Sequence, residues 1–110
     1  MRPVQLFKCL ADETRLTATL LIHLRDELCV GELVEATGLS QPKISRHLAQ
    51  LRGCGLLQDN RKEQWVYYTL HPDLPKWART IIADACLADT SRLQAMLTRL
   101  DSFACGPDNC

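Results

Sequence analysis

The sequence predicts a mainly α-helical domain carrying one β-hairpin, an α+β winged helix-turn-helix. Three observations carry that prediction. A short helical stretch closed by Gly38 is followed almost at once by a second one opened by Ser40, the spacing of a helix-turn-helix. The block WVYYTL, rich in aromatic and β-branched residues, follows directly and marks a strand. On either side of this unit, apolar residues recur at helical spacing.

The elements follow in order. Residues 3–11 read as a short helix with Val4, Leu6, Phe7 and Leu10 apolar. Asp12, with Arg15 after it, is an N-cap candidate for a helix over 13–25, where Leu16, Leu20 and Leu24 form the expected buried stripe. Arg25, Asp26 and Glu27 make a polar break. Residues 31–37 form the first helix of the motif, with Leu33, Val34 and Ala36 inward and Gly38 supplying a left-handed stop. Ser40 caps the second, and Pro42 sits in its first turn, where no amide donor is missed. Ile44, Leu48 and Leu51 give it one narrow apolar face, and Gly53 and Gly55 end it. Residues 56–60 and 64–70 are the hairpin strands around a basic tip at Arg61 and Lys62, the wing; Trp65, Tyr67 and Tyr68 read as hairpin core rather than a stacking platform. After Pro72 and Pro75, Leu74, Trp77, Ile81, Ile82 and Ala85 start a helical stripe. It continues through Leu93, Met96, Leu97, Leu100 and Phe103, with a break expected at Asp89–Ser91. The tail ACGPDNC, residues 104–110, is too short and polar to pack as an element.

At 110 residues the chain reads as one domain, 1–110. No apolar run is long enough to span a membrane. The first residues reach charge too soon for a secretory signal, so a reducing cytoplasmic setting is expected, in which the six cysteines act as fillers, metal or metalloid ligands or redox groups. Thirteen basic residues balance thirteen acidic ones, which excludes nucleic-acid binding by bulk charge. The balance conceals a gradient, because residues 40–70 carry five basic groups against two acidic ones. A local excess of that kind is enough to meet phosphates. No nucleophile–base pair, phosphate loop or CxxC motif points to an enzyme.

With Ile44, Leu48 and Leu51 inward, helical geometry turns Gln41, Lys43, Ser45, Arg46 and Gln50 outward, beside the Ser40 cap. This N-terminal half is the part that enters the major groove in helix-turn-helix proteins. Arg and Lys reach guanine edges, Gln pairs with adenine, and Ser serves base or phosphate. His47, about 60° from the buried stripe, either touches a phosphate or packs at the helix edge. Arg61 and Lys62 suit backbone or minor-groove contact.

The blocks VQLFKCLADETRL, ELCVGEL, LSQPKISRHLAQLR and EQWVYYTLHPDLPKWA resemble the arsenic-responsive branch of the ArsR/SmtB repressors, over roughly residues 3–80. The resemblance implies a homodimer joined through its first and last helices. It implies double-stranded operator DNA as partner, no membrane, and release when a metalloid binds. The inducer it implies is a trivalent arsenical, arsenite or methylarsenite, or antimonite, with no organic cofactor. Trivalent arsenic is soft and takes thiolates, three for arsenite and two for a methylated form. The family's common site is E-L-C-V-C-x-L-C. Cys29 matches its first thiol, but Gly31 and Val34 replace the other two, so the common site is broken.

Five other cysteines remain. Cys54 reads as a small buried filler and Cys9 as core more often than ligand. Cys105 and Cys110 lie in a polar tail with no core to fill, which favours a chemical role. The expected inducer set is therefore Cys86, Cys105 and Cys110, with Cys29 and Cys9 as second choices. On one continuous helix Cys86 and Cys105 would lie about 28 Å apart, so the set requires a break and a folded tail, or a site across the dimer. Zinc is disfavoured: His23 falls on the second helix and His71 opens a loop before Pro72, and the last helix shows no paired His/Asp spacing. Two competing readings are a repressor switched by oxidation of the tail thiols, and a thiol-rich metalloid-binding protein that does not regulate.

Overall fold

A computed structural model describes residues 1–103 of the chain. The expected tail, with Cys105 and Cys110, lies outside the described residues. The order is α1 (Pro3–Leu10), α2 (Glu13–Arg25), β1 (Leu28–Cys29), α3 (Val30–Thr37), α4 (Gln41–Gly53), β2 (Leu57–Lys62), β3 (Trp65–Leu70), α5 (Lys76–Ala88) and α6 (Thr90–Leu100). This is the winged helix-turn-helix, and no described helix is long and apolar enough to cross a membrane.

Helix α2 is the hub, packed against α1, α4, α5, α6 and β3. Its start is the predicted cap: the Asp12 carboxylate accepts from the Arg15 amide at 3.0 Å. Its buried set differs from the predicted one. Thr14, Thr17, Ala18, Thr19, Leu20, Leu21 and Ile22 are buried, whereas Leu24 is 43% exposed and Leu16 half-buried. A helix surrounded by neighbours buries more than one stripe, so a single row of leucines is a poor guide to it. Two of its three threonines are tolerated because their hydroxyls are bonded: Thr19 donates to the Arg15 carbonyl, and Thr17 accepts from Arg92.

Gly38 adopts φ +73° and closes α3, its amide donating to the Val34 carbonyl. Ser40 caps α4, and Ile44, Leu48 and Leu51 are buried as expected. After α4, Gly55 at φ +83° lets the chain turn into β2.

The hairpin pairs Leu57 with Leu70 through Lys62 with Trp65. Strand β2 therefore runs two residues further than predicted, β3 begins one residue later, and the turn consists of Glu63 and Gln64. Arg61 and Lys62 belong to the end of β2 rather than to the tip. The polar break before α3 also conceals a strand, β1, which pairs with β3 through Leu28–Tyr68 and Cys29–Tyr67. Two residues are too few to show an alternation in sequence.

The predicted break in the last helix falls at Asp89, where the backbone leaves helical geometry and Thr90 donates to the carbonyls of Cys86 and Leu87. Helix α6 then packs on α3 and α2. Its stripe of Leu93, Leu97 and Leu100, with Ala78, Ile82 and Cys86 of α5, is buried within this chain's own core. Much of the apolar surface of the last two helices is thus satisfied within one chain. The large apolar side chains that stay exposed among the described residues are Met1 before α1, Val4 and Phe7 on α1, Leu24 on α2 and Leu87 at the end of α5.

Candidate nucleic-acid interface

The outward face of α4 follows from its inward one. Arg46 is exposed and Lys43 half-exposed, and neither side chain has a hydrogen-bond or ion-pair partner among the described residues. Gln41 and Ser45 are neighbours one turn apart, with the Gln41 amide donating to the Ser45 hydroxyl at 2.9 Å. The Ser40 hydroxyl is engaged as the cap, accepting from the Lys43 amide. These five residues lie together on the N-terminal half of the helix.

His47 and Gln50 do not join them. His47 is 8% exposed, and its Nδ1 faces Gln50 Oε1 at 3.1 Å and Asp12 Oδ2 at 3.7 Å. His47 thus packs at the helix edge, one of its two expected alternatives. The same Gln50 oxygen accepts from Arg15 Nη1 at 3.3 Å. Arg15 also donates to the carbonyls of Cys9 and Lys8 at the end of α1. Sequence reasoning named Arg15 only beside the Asp12 cap and missed this junction, because the link to Gln50 spans 35 positions and no local periodicity marks it. Asp12 completes this junction. Its carboxyl is held below the ordinary carboxylate value chiefly by the Arg15 amide, with smaller help from the nearby His47 and Arg15 side chains.

The wing is more divided. Arg61 is exposed and unpartnered among the described residues. Lys62 bonds Glu27 at 2.6 Å and lies 5.3 Å from the Tyr67 ring centroid. Glu27 is the second residue missed, hidden in the polar break that precedes β1. Trp65, Tyr67 and Tyr68 are all half-buried, and only Tyr68 packs against the main core.

The cysteines separate sharply. Cys86 is buried on α5; its Sγ–H points to the Leu20 carbonyl at 3.8 Å, and burial pushes its thiol pKa up. Cys29 is buried at the start of α3, where its amide donates to Glu32 Oε1 at 3.0 Å. Cys9 and Cys54, the two read as fillers, are instead joined as a disulfide. That corrects the filler reading of Cys54: its neighbour across the fold is another sulfur, a fact that separation by 45 residues conceals in the sequence. Among the described residues, no three His, Cys, Asp or Glu side chains gather in metal-holding geometry.

Comparison with known proteins agrees with this geometry. Residues 12–59 match the family model described as bacterial regulatory protein, arsR family. The arsenic resistance transcriptional regulator ArsR1 of Pseudomonas putida is 53% identical over 91% of this chain and 78% of its own. The arsenical resistance operon repressor of Escherichia coli K12 is 49% identical over 97% of this chain and 92% of its own. Among solved structures, HlyU from Vibrio cholerae superposes with a TM-score of 0.67 at 38% identity, covering 77% of this chain and 88% of that one.

Proposed function

The chain belongs to the arsR family of bacterial regulatory proteins, and from that premise we propose that it is a cytoplasmic, homodimeric repressor released from operator DNA by a trivalent arsenical. The observation that carries the proposal is the unpartnered basic face of α4, on a chain about half identical to two arsenic resistance regulators over nearly its whole length. Lys43 and Arg46 reach base edges in the major groove, with Gln41 and Ser45 beside them. Ser40 and Arg61 meet phosphate. Val4 and Phe7 of α1 and Leu87 at the end of α5 offer apolar surface to a second copy.

The inducer binds through cysteine sulfur because a soft trivalent centre prefers it to carboxylate oxygen. Cys86, Cys105 and Cys110 are one proposed set. Within it Cys86 is the costly member, since burial keeps its thiol protonated and it must lose that proton to coordinate.

Operator release followed by fluorescence anisotropy tests the proposal. The titrants are arsenite and methylarsenite, against wild type, Cys29→Ser and the Cys105→Ser/Cys110→Ser double variant. Release of wild type by either arsenical supports the function. Retention of the tail variant on DNA, with Cys29→Ser still released, supports the C-terminal set. A wild type that ignores both arsenicals overturns the sensor.

A further inference from the structure

We propose that Cys9 and Cys54, in their reduced form, are a dithiol site for a mono-substituted trivalent arsenical, R–As(OH)₂, bound where α1 meets the end of the recognition helix. This rests on the reading of the chain as an arsenical-responsive repressor and names a site for it apart from the tail.

The first support is placement. Cys9 lies in the last turn of α1, and Cys54 is the residue that ends α4. Their Cα atoms are 6.6 Å apart, near the upper end of the span a direct S–S bond bridges. A seat of that width also suits a one-atom bridge between the sulfurs. Both positions are held by helices, so little ordering is needed on binding. Cys54 is only half-buried, which opens the pair to solvent from one side.

The second support is ligand count. Two sulfurs meet here, and no third His, Cys, Asp or Glu gathers with them among the described residues. Two thiols complete the coordination of an arsenical that already carries one carbon substituent, whereas arsenite has a third position to fill. The site therefore selects the organic form.

The third support is the bracing of the junction. Arg15 donates to the Cys9 carbonyl at 2.8 Å, which fixes the backbone that carries one of the two sulfurs. The Cys54 sulfur lies 3.3 Å from the Leu51 carbonyl, which can accept its thiol proton once the disulfide is reduced.

The exchange balances without an oxidant. Two S–H protons and two arsenic-bound hydroxyls leave as two waters. Two As–S bonds replace two As–O bonds, and arsenic stays trivalent. The disulfide form cannot react in this way, so a reducing setting is required. Arg15 links the same end of α1 to Gln50, one turn before Cys54. Insertion of a large atom between α1 and the end of α4 acts on this junction, and through it on the angle at which α4 is presented.

The test uses the reduced full-length chain and phenylarsonous acid as probe, with operator release measured alongside. Proteolysis and mass spectrometry should find the Cys9 peptide joined through arsenic to the Cys54 peptide. Cys9→Ser and Cys54→Ser should each lose the same equivalent of bound arsenic. Each should also require about tenfold more probe for DNA release, because one thiol has lost its chelating partner. Arsenic found only on other cysteines, or a Cys9–Cys54 disulfide that forms without arsenic uptake under reducing conditions, overturns the site. The peptide link is read on wild type, so a poorly folded variant cannot rescue the proposal. Release without the link leaves the repressor standing and removes this site. A link without release retains the site and removes the arsenical switch.

Discussion

Helix α4 and the β2–β3 hairpin both carry cations proposed to meet DNA, and the structure treats them differently. On α4 the cation aimed outward, Arg46, is exposed and unpartnered among the described residues. On the hairpin, Arg61 is similarly available, but the adjacent Lys62 is held by Glu27 and rests over Tyr67. An outward position on a helix is set by that helix's own period. Whether a strand-end lysine is available depends on whatever distant segment packs beside it. Charge and exposure therefore identify a reading helix more securely than a wing.

The comparison breaks most completely if α4 loses its inward face. Leu48→Ala should destabilise the fold by about 2–5 kcal/mol, read by urea unfolding, because Leu48 is fully buried and the site cannot collapse around the gap. DNA binding should then fall through loss of folded protein. Arg46→Ala should do the opposite. Its melting temperature should stay near that of wild type, while operator affinity falls by about 1–3 kcal/mol and discrimination relaxes at one base pair. An Arg46→Ala protein that binds every operator variant as tightly as wild type would remove Arg46 from the reading face.

Arg61→Ala should weaken binding by a smaller amount, uniformly across operator sequences. The slope of log affinity against log salt should drop by about one, the mark of a single lost phosphate contact. Unchanged salt dependence would leave the wing without a role in binding.

The contrast also explains what the sequence made legible. The caps at Asp12 and Ser40, the stop at Gly38 and the face of Ile44, Leu48 and Leu51 are local devices, each contained in one turn or one helix. They were readable, as was the break at Asp89. The exposed Leu24, the strand at Leu28–Cys29, the Lys62–Glu27 pair and the Cys9–Cys54 juxtaposition were not. Each depends on which segments meet in space. His47 illustrates the boundary: helical geometry put it at the edge of the stripe, and Asp12, from another element, decided that it packs.

The Asp12 junction yields a pH prediction. Its folded pKa is lowered from 3.8, so its stabilising effect is present above that value and is lost as pH falls through the lower folded value. Asp12→Asn keeps an acceptor for the Arg15 amide and removes the charge. In unfolding curves taken below pH 5, the wild type should therefore lose more stability on acidification than the variant. Parallel curves would mean that the Asp12 charge contributes nothing to the junction.

Glu27→Gln sharpens the comparison at its weakest point. The Lys62–Glu27 pair is partly exposed on both sides, so its contribution to stability is about 0–1 kcal/mol, and the variant should fold nearly as well as wild type. Removing the carboxylate frees Lys62 and cancels a negative charge beside the wing. If the pair is what separates Lys62 from Arg61, the variant should bind operator modestly more tightly, by less than about tenfold, with a salt slope steeper by about one. Adding Lys62→Gln to that background should return both to wild-type values. If Glu27→Gln changes neither affinity nor slope, Lys62 is silent because of where it points rather than because of its partner, and the wing contributes through Arg61 alone.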